Sequence, residues 1–196
     1  MAASSLWEMV LCVDEKTSIQ PRPRKASTLA AQPGQPIRVE HEYARKGALN
    51  LFAGSDTRTG TVYATTAERK RQVEFMIFLE HLDREIALSI TTIHVVLDHV
   101  RMHKGNQGQA WLAKHPRLIF HFPPVHCSWM NQVEQWFSIL QRKRLRIAEF
   151  TDKQHLSQRL MAFVAEWNAQ AHPFQWSTQS VAKVMAKCDS PRAKAA

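Results

Sequence analysis

The 196-residue chain is 44% hydrophobic and 22% charged, with six Trp, nine Phe and only six Gly, a composition that excludes a disordered or fibrous chain and suffices for one buried core. No apolar run nears the ~18–20 residues that span a bilayer, the opening residues do not read as a signal peptide, and Cys12, Cys127 and Cys188 stand too far apart for a disulfide framework or thiolate zinc site, so a reducing cytoplasm is expected. The net charge of +9 sits entirely in the second half, since residues 1–98 hold 12 basic and 12 acidic groups while residues 99–196 hold 14 and 5. Such a bias suits a polyanionic partner, most simply nucleic acid, though a basic surface alone would also produce it.

Met9–Val13 is a short apolar run, expected as a strand buried on both faces and ending at Asp14. Residues 15–47, rich in Pro, Arg and Lys, read as a long basic loop. Ala48–Ser55 and Thr61–Thr66 form two β-rich runs around an Asp56–Gly60 turn. Arg69 to Ile86 reads as a helix with Phe75, Leu79, Leu82 and Ile86 on its apolar stripe. Thr92–Leu97 is a second buried strand, again followed by an aspartate, Asp98. A short helix over 106–114 and a strand over Arg117–Phe122 follow. From Met130, the spacing of Val133, Trp136, Phe137 and Leu140 predicts a one-faced helix, and Thr151 with Gln154 has capping-box spacing ahead of another. Ser177–Lys187 forms a last helix, and residues 189–196 a disordered tail, so 1–188 is expected to be one domain. Trp129, Trp136, Trp167 and Trp176 are assigned to packing rather than to base stacking. Strands separated by a helix are usually parallel neighbours, so the class is α/β, a mixed sheet with helices on both faces.

Asp14 and Asp98 hold equivalent places, each the first polar residue after a buried run. On adjacent parallel strands they would emerge together at the carboxyl edge of the sheet, where open α/β sheets bind ligands. Glu134 joins them from the margin of the Val133–Leu140 apolar face. Three converging carboxylates repel: two unit charges ~4 Å apart cost about 4 kcal/mol at an effective dielectric near 20. Divalent cations reverse the sign, and hard oxygen donors suit Mg²⁺ or Mn²⁺, a pair of which can drive phosphodiester chemistry. The alternative is two strand-ending aspartates and a surface glutamate. Arg142, Lys143 and Arg144, with Arg146, are read as phosphate contacts beside the site, the competing reading being a solvated helix end. Lys104 is a further candidate for phosphate. Asn131 is assigned either to DNA contact or to positioning Glu134 or the metal shell. His99 and His103 have the spacing of a zinc helix, but no third ligand follows.

Three ordered blocks carry a family resemblance: Val10-Leu11-Cys12-Val13-Asp14-Glu15-Lys16-Thr17; His94-Val95-Val96-Leu97-Asp98 with His103-Lys104; and Ser128-Trp129-Met130-Asn131-Gln132-Val133-Glu134-Gln135-Trp136-Phe137. With 35 residues between Asp98 and Glu134, the chain resembles bacterial insertion-sequence transposases of the Tc/mariner-like superfamily from about residue 9 to 187. The resemblance implies a ribonuclease-H-like five-stranded mixed sheet with extra C-terminal helices. It further implies a DDE triad of Asp14, Asp98 and Glu134, which would hold two Mg²⁺ or Mn²⁺ ions, with Asp14 touching both. Its implied partners are DNA, as element ends and target, and a second copy of the chain in a synaptic complex, with no membrane. The implied setting is the bacterial cytoplasm, at the nucleoid when DNA is bound. Two features depart from the family pattern. His99 stands where an Asn usually follows the second Asp, and 13 residues precede Asp14, so a catalytic domain without helix-turn-helix segments is expected, these residing on a separate polypeptide or being lost from a truncated remnant.

Overall fold

A computed structural model describes residues 6–23, 33–34, 36, 44, 46–97, 110–123, 131–146 and 149–175. In chain order these form β1 (Glu8–Ile19), β2 (Leu49–Asp56), β3 (Val62–Ala67), α1 (Gln72–Glu85), β4 (Thr92–Leu97), β5 (Leu118–His121), α2 (Val133–Leu140) and α3 (Lys153–Asn168). A π-helical turn over Gln141–Leu145 continues α2. The strands make one sheet in the order β3-β2-β1-β4-β5. β1 is antiparallel to β2 and parallel to β4, β2 is antiparallel to β3, and β4 is parallel to β5, the mixed sheet that the sequence predicts.

Side chains alternate across a strand, so β1 supplies both faces of the core. Leu11 and Val13 join Ile93, Val95 and Leu97 against Phe75, Phe78, Leu79 and Leu82 of α1. Phe52 adds a stacked contact with Phe78, ring centroids 6.0 Å apart. On the opposite face, Cys12, Leu51 and Ala53 meet Val133, Trp136 and Leu140 of α2, and α3 closes that layer with Leu156, Leu160, Phe163 and Trp167. Burial pushes the Cys12 thiol pKa up, as befits an inert core cysteine. The expected apolar stripes of α1 and α2 are both buried. Trp136 and Trp167 are core residues as expected; Trp129 and Trp176 lie outside the described residues.

Two differences from the sequence expectation concern where elements begin and end. β1 does not end at Asp14 but runs to Ile19, because β2 keeps pairing with it through Asp14↔Ala53, Lys16↔Leu51 and Ile19↔Leu49. The polar run from Glu15 suggests a strand end, but β2, buried along its whole length, decides where the strand stops. The register slips between Lys16 and Ile19, where Ser18 takes a φ of 55° and donates its N–H to Asn50 Oδ1 at 3.1 Å. The expected loop over 15–47 therefore begins at Gln20, and most of it falls outside the described residues, as do 177–187 and 189–196. Residues 110–112 are helical, matching the C-terminal part of the short helix expected over 106–114.

The second difference is at α3, whose cap is Asp152 rather than Thr151. Asp152 has extended backbone and its carboxylate accepts the His155 N–H at 2.8 Å. That N–H holds the Asp152 carboxyl below its ordinary pKa. A depressed folded pKa adds stability above the unfolded value and loses it as pH falls through the folded one. Asp152→Ala is expected to lower the melting temperature by a few degrees at neutral pH. The gap should close as pH falls below the usual carboxylate range, and thermal melts over a pH series check both statements.

Candidate active site

The described part of β4 ends beside the first candidate acid. Leu97 lies opposite Val13, so the last described position of β4 is one residue short of Asp98, just as Val13 is one short of Asp14. Beyond that row β1 continues to pair with β2. Asp14 shares its sheet face with Cys12, two residues before it, and Cys12 packs in the α2 layer. It is half-buried, and its Oδ1 accepts the Glu15 N–H at 2.7 Å. The neighbouring acid has another role: the Glu15 carboxylate is ion-paired with Lys70 and its side chain is only 4% exposed.

Glu134 sits in the first turn of α2, half-buried between the apolar stripe and solvent. Asp14 and Glu134 line one cleft of about 580 Å³, together with Glu15, Lys16, Thr17, Phe137, Ser138, Gln141 and Arg142. Two of the three sequence-predicted acids are thus brought to one opening. Asp98 and Lys104 lie outside the described residues, as do His99 and His103. Among the described residues no three His, Cys, Asp or Glu side chains form a metal-holding group. Of the three carboxylates that line the cleft, Glu15 is paired with Lys70, and Asp14 and Glu134 are hard oxygen donors of the kind that Mg²⁺ or Mn²⁺ requires.

Asn131 fixes the helix that carries Glu134. Its Nδ2 donates to the Val13 carbonyl at 2.8 Å, next to Asp14, while its own carbonyl accepts the Glu134 N–H at 3.1 Å. One residue thereby ties the start of α2 to the strand holding the first acid. At 1% exposure the Asn131 side chain cannot meet DNA, so the expected DNA contact is corrected. Its geometry matches the other expectation, that of positioning Glu134.

The basic residues after Glu134 divide by geometry. Arg142 lines the cleft itself and Lys143 is exposed. Arg144 is engaged elsewhere: it pairs with Glu166 of α3 and its guanidinium lies 5.1 Å from the centre of the Phe163 ring. The π-turn that carries all three is held by Gln141 N–H on Phe137 and Ser138 carbonyls and by Arg146 N–H on the Gln141 carbonyl at 2.9 Å. Such turns often mark functional sites. Sequence reasoning missed Lys16, whose signal was the continued alternation from Cys12 through Asp14.

With this geometry in place, comparisons with known proteins give four likenesses. The family described as DDE superfamily endonuclease matches residues 9–157. The insertion element IS630 uncharacterized 39 kDa protein of Shigella sonnei is 25% identical over 152 residues, covering 78% of this chain and 40% of that protein. The crystal structure of the Mos1 mariner paired-end complex with Mn superposes with a TM-score of 0.59 at 15% identity, covering 83% of this chain and 50% of that one. The Mos1 transposase paired-end complex with the left transposon end gives 0.54 at 14% identity, over 83% and 49%. The fold is ribonuclease-H-like, as these superpositions show. The chain spans less than half the length of the Shigella relative and about half of the Mos1 chains.

Proposed function

The chain belongs to the DDE superfamily endonucleases, and from that premise we propose that it is the catalytic domain of an insertion-sequence transposase. It cleaves a phosphodiester at the end of a mobile element and transfers the freed strand to target DNA. The observation that carries this reading is the shared cleft of Asp14 and Glu134, with Arg142 on its wall. Asp98 completes the set as the third acid. Two facts support that assignment: β4 and β1 run parallel with Leu97 opposite Val13, and in sequence Asp98 follows Leu97 as Asp14 follows Val13.

Asp14, Asp98 and Glu134 would hold two divalent ions, Mg²⁺ or Mn²⁺, which when bound supply charge neutralisation at the phosphodiester and a more acidic attacking hydroxyl. The chain's own residues position the DNA. Lys16 and Arg142 face the cleft as phosphate contacts, and among the described residues neither has an ion-pair partner. Asn131 keeps the Glu134 helix against β1. In the first reaction a water oxygen bonds to phosphorus, the bond from phosphorus to the 3′-oxygen breaks, and the water's proton ends on that oxygen. In the second, the 3′-hydroxyl bonds to a target phosphorus and the target's own 3′-oxygen leaves with the proton. Neither step needs an outside oxidant or energy source.

A second copy of the chain in a synaptic complex accords with the paired-end assemblies of the Mos1 structures. Among the described residues no helix is long and apolar enough to cross a membrane, and the proposed setting is the bacterial cytoplasm, at the nucleoid while DNA is bound. The test uses the purified chain, a pre-cut duplex with a free 3′-hydroxyl taken from DNA bordering the coding sequence, and a supercoiled plasmid. Joined product is expected with Mg²⁺ or Mn²⁺ and none with a chelator. Nicking without joining would reduce the activity to hydrolysis. Binding without either, at every metal concentration, would leave an inactive remnant.

A further inference from the structure

The π-turn and α3 enclose a second cavity, of about 290 Å³, that shares Arg142 with the acidic cleft. Arg142, Lys143 and Arg144 wall it from the turn and Arg159 from α3, over a floor of Leu145, Phe150 and Leu160. Phe150 and Leu160 are 5% and 2% exposed, so the floor is the hydrophobic core itself. Cations around an apolar floor suit an anion, because the low local dielectric strengthens each charge contact.

The four cations are not equivalent. Arg144 pairs with Glu166, donates to the Lys143 carbonyl at 3.1 Å and covers Phe163, which makes it a strut between the turn and α3. Among the described residues no ion pair engages Arg142, Lys143 or Arg159, and no acid lines the cavity. Elsewhere Lys70, Arg71, Arg84, Arg117 and Lys153 each have a carboxylate partner; Lys16, Arg22, Lys46, Arg58, Arg69, Lys114 and Arg146 have no ion pair among the described residues, but none of these lines this cavity, where three such cations meet. Uncompensated positive charge is therefore gathered at this pocket.

We propose that the pocket is a phosphate-binding site for one backbone phosphodiester of the DNA running into the acidic cleft, with Arg142, Lys143 and Arg159 as its ligands. The inference rests on the reading of the chain as a DNA-processing domain. It moves the phosphate contact expected at Arg144 to Arg159, and leaves Arg144 to hold the turn.

The full chain is titrated into a labelled DNA duplex over a range of NaCl concentrations, with melting temperatures measured in parallel. Arg159→Gln is expected to lower the slope of log affinity against log salt by about 0.9, the value of one phosphate contact, with an unchanged melting temperature. Arg144→Gln is expected to lower the melting temperature and keep the slope. Arg58→Gln, at the exposed β2–β3 turn, should change neither. A wild-type slope for Arg159→Gln, or an equal loss for Arg144→Gln, overturns the pocket assignment alone. Absence of salt-dependent binding by the wild-type chain would overturn the DNA reading, and the pocket with it.

Discussion

Asp14→Asn, Asp98→Asn and Glu134→Gln are each expected to lower metal-dependent DNA cleavage by about a thousandfold, near 4 kcal/mol of barrier at about 1.36 kcal/mol per tenfold. Each substitution keeps the shape of the side chain and removes one negative charge, so the loss reports charge rather than packing. The variants should also gain less melting temperature from added Mg²⁺ than the wild type does, since a ligand that binds only the folded state stabilises it in proportion to its affinity. Cleavage assays and thermal melts with and without Mg²⁺ check the two halves together. Cleavage within tenfold of wild type for Asp14→Asn or Glu134→Gln would show that the shared cleft is not where the chemistry occurs.

Much of this arrangement is legible in the sequence because two patterns carry it. The apolar runs Met9–Val13 and Thr92–Leu97 mark buried strands, and the 3.6-residue spacing of Val133, Trp136, Phe137 and Leu140 sets Glu134 at the edge of a buried stripe. What was not legible depends on partners far along the chain. The true end of β1 is decided by β2, which lies beyond the long loop. The burial of Asn131 depends on a carbonyl 118 residues earlier, and a polar residue between Met130 and Gln132 carries no local sign of it. Arg144 and Arg159 look alike as exposed helical arginines in sequence. Only the packing of α3 against the π-turn separates the one that pairs with Glu166 from the one that faces the basic cavity.

Asn131→Ala provides the other large effect, on positioning rather than on metal charge. The Asn131 amide makes one hydrogen bond from Nδ2, to Val13, while its Oδ1 is buried without a partner among the described residues. Removing the amide leaves a buried carbonyl beside Asp14 with one fewer donor, an expected cost of about 1–3 kcal/mol. It also frees the first turn of α2, so Glu134 is no longer held relative to β1. Residues that orient metal ligands typically contribute about 10–100-fold to affinity or activity, and a loss of that size is expected in cleavage. Because destabilisation alone could lower activity, Asn50→Ala is the matched control. Asn50 is also buried, at 8% exposure, and joins Ser18 N–H to the Ala67 carbonyl, a bridge between strands that leaves α2 untouched. Both variants should melt lower, but only Asn131→Ala should need more Mg²⁺ for half-maximal cleavage at temperatures where each remains folded. Equal Mg²⁺ dependence for the two would reduce Asn131 to a core hydrogen bond with no hold on the site.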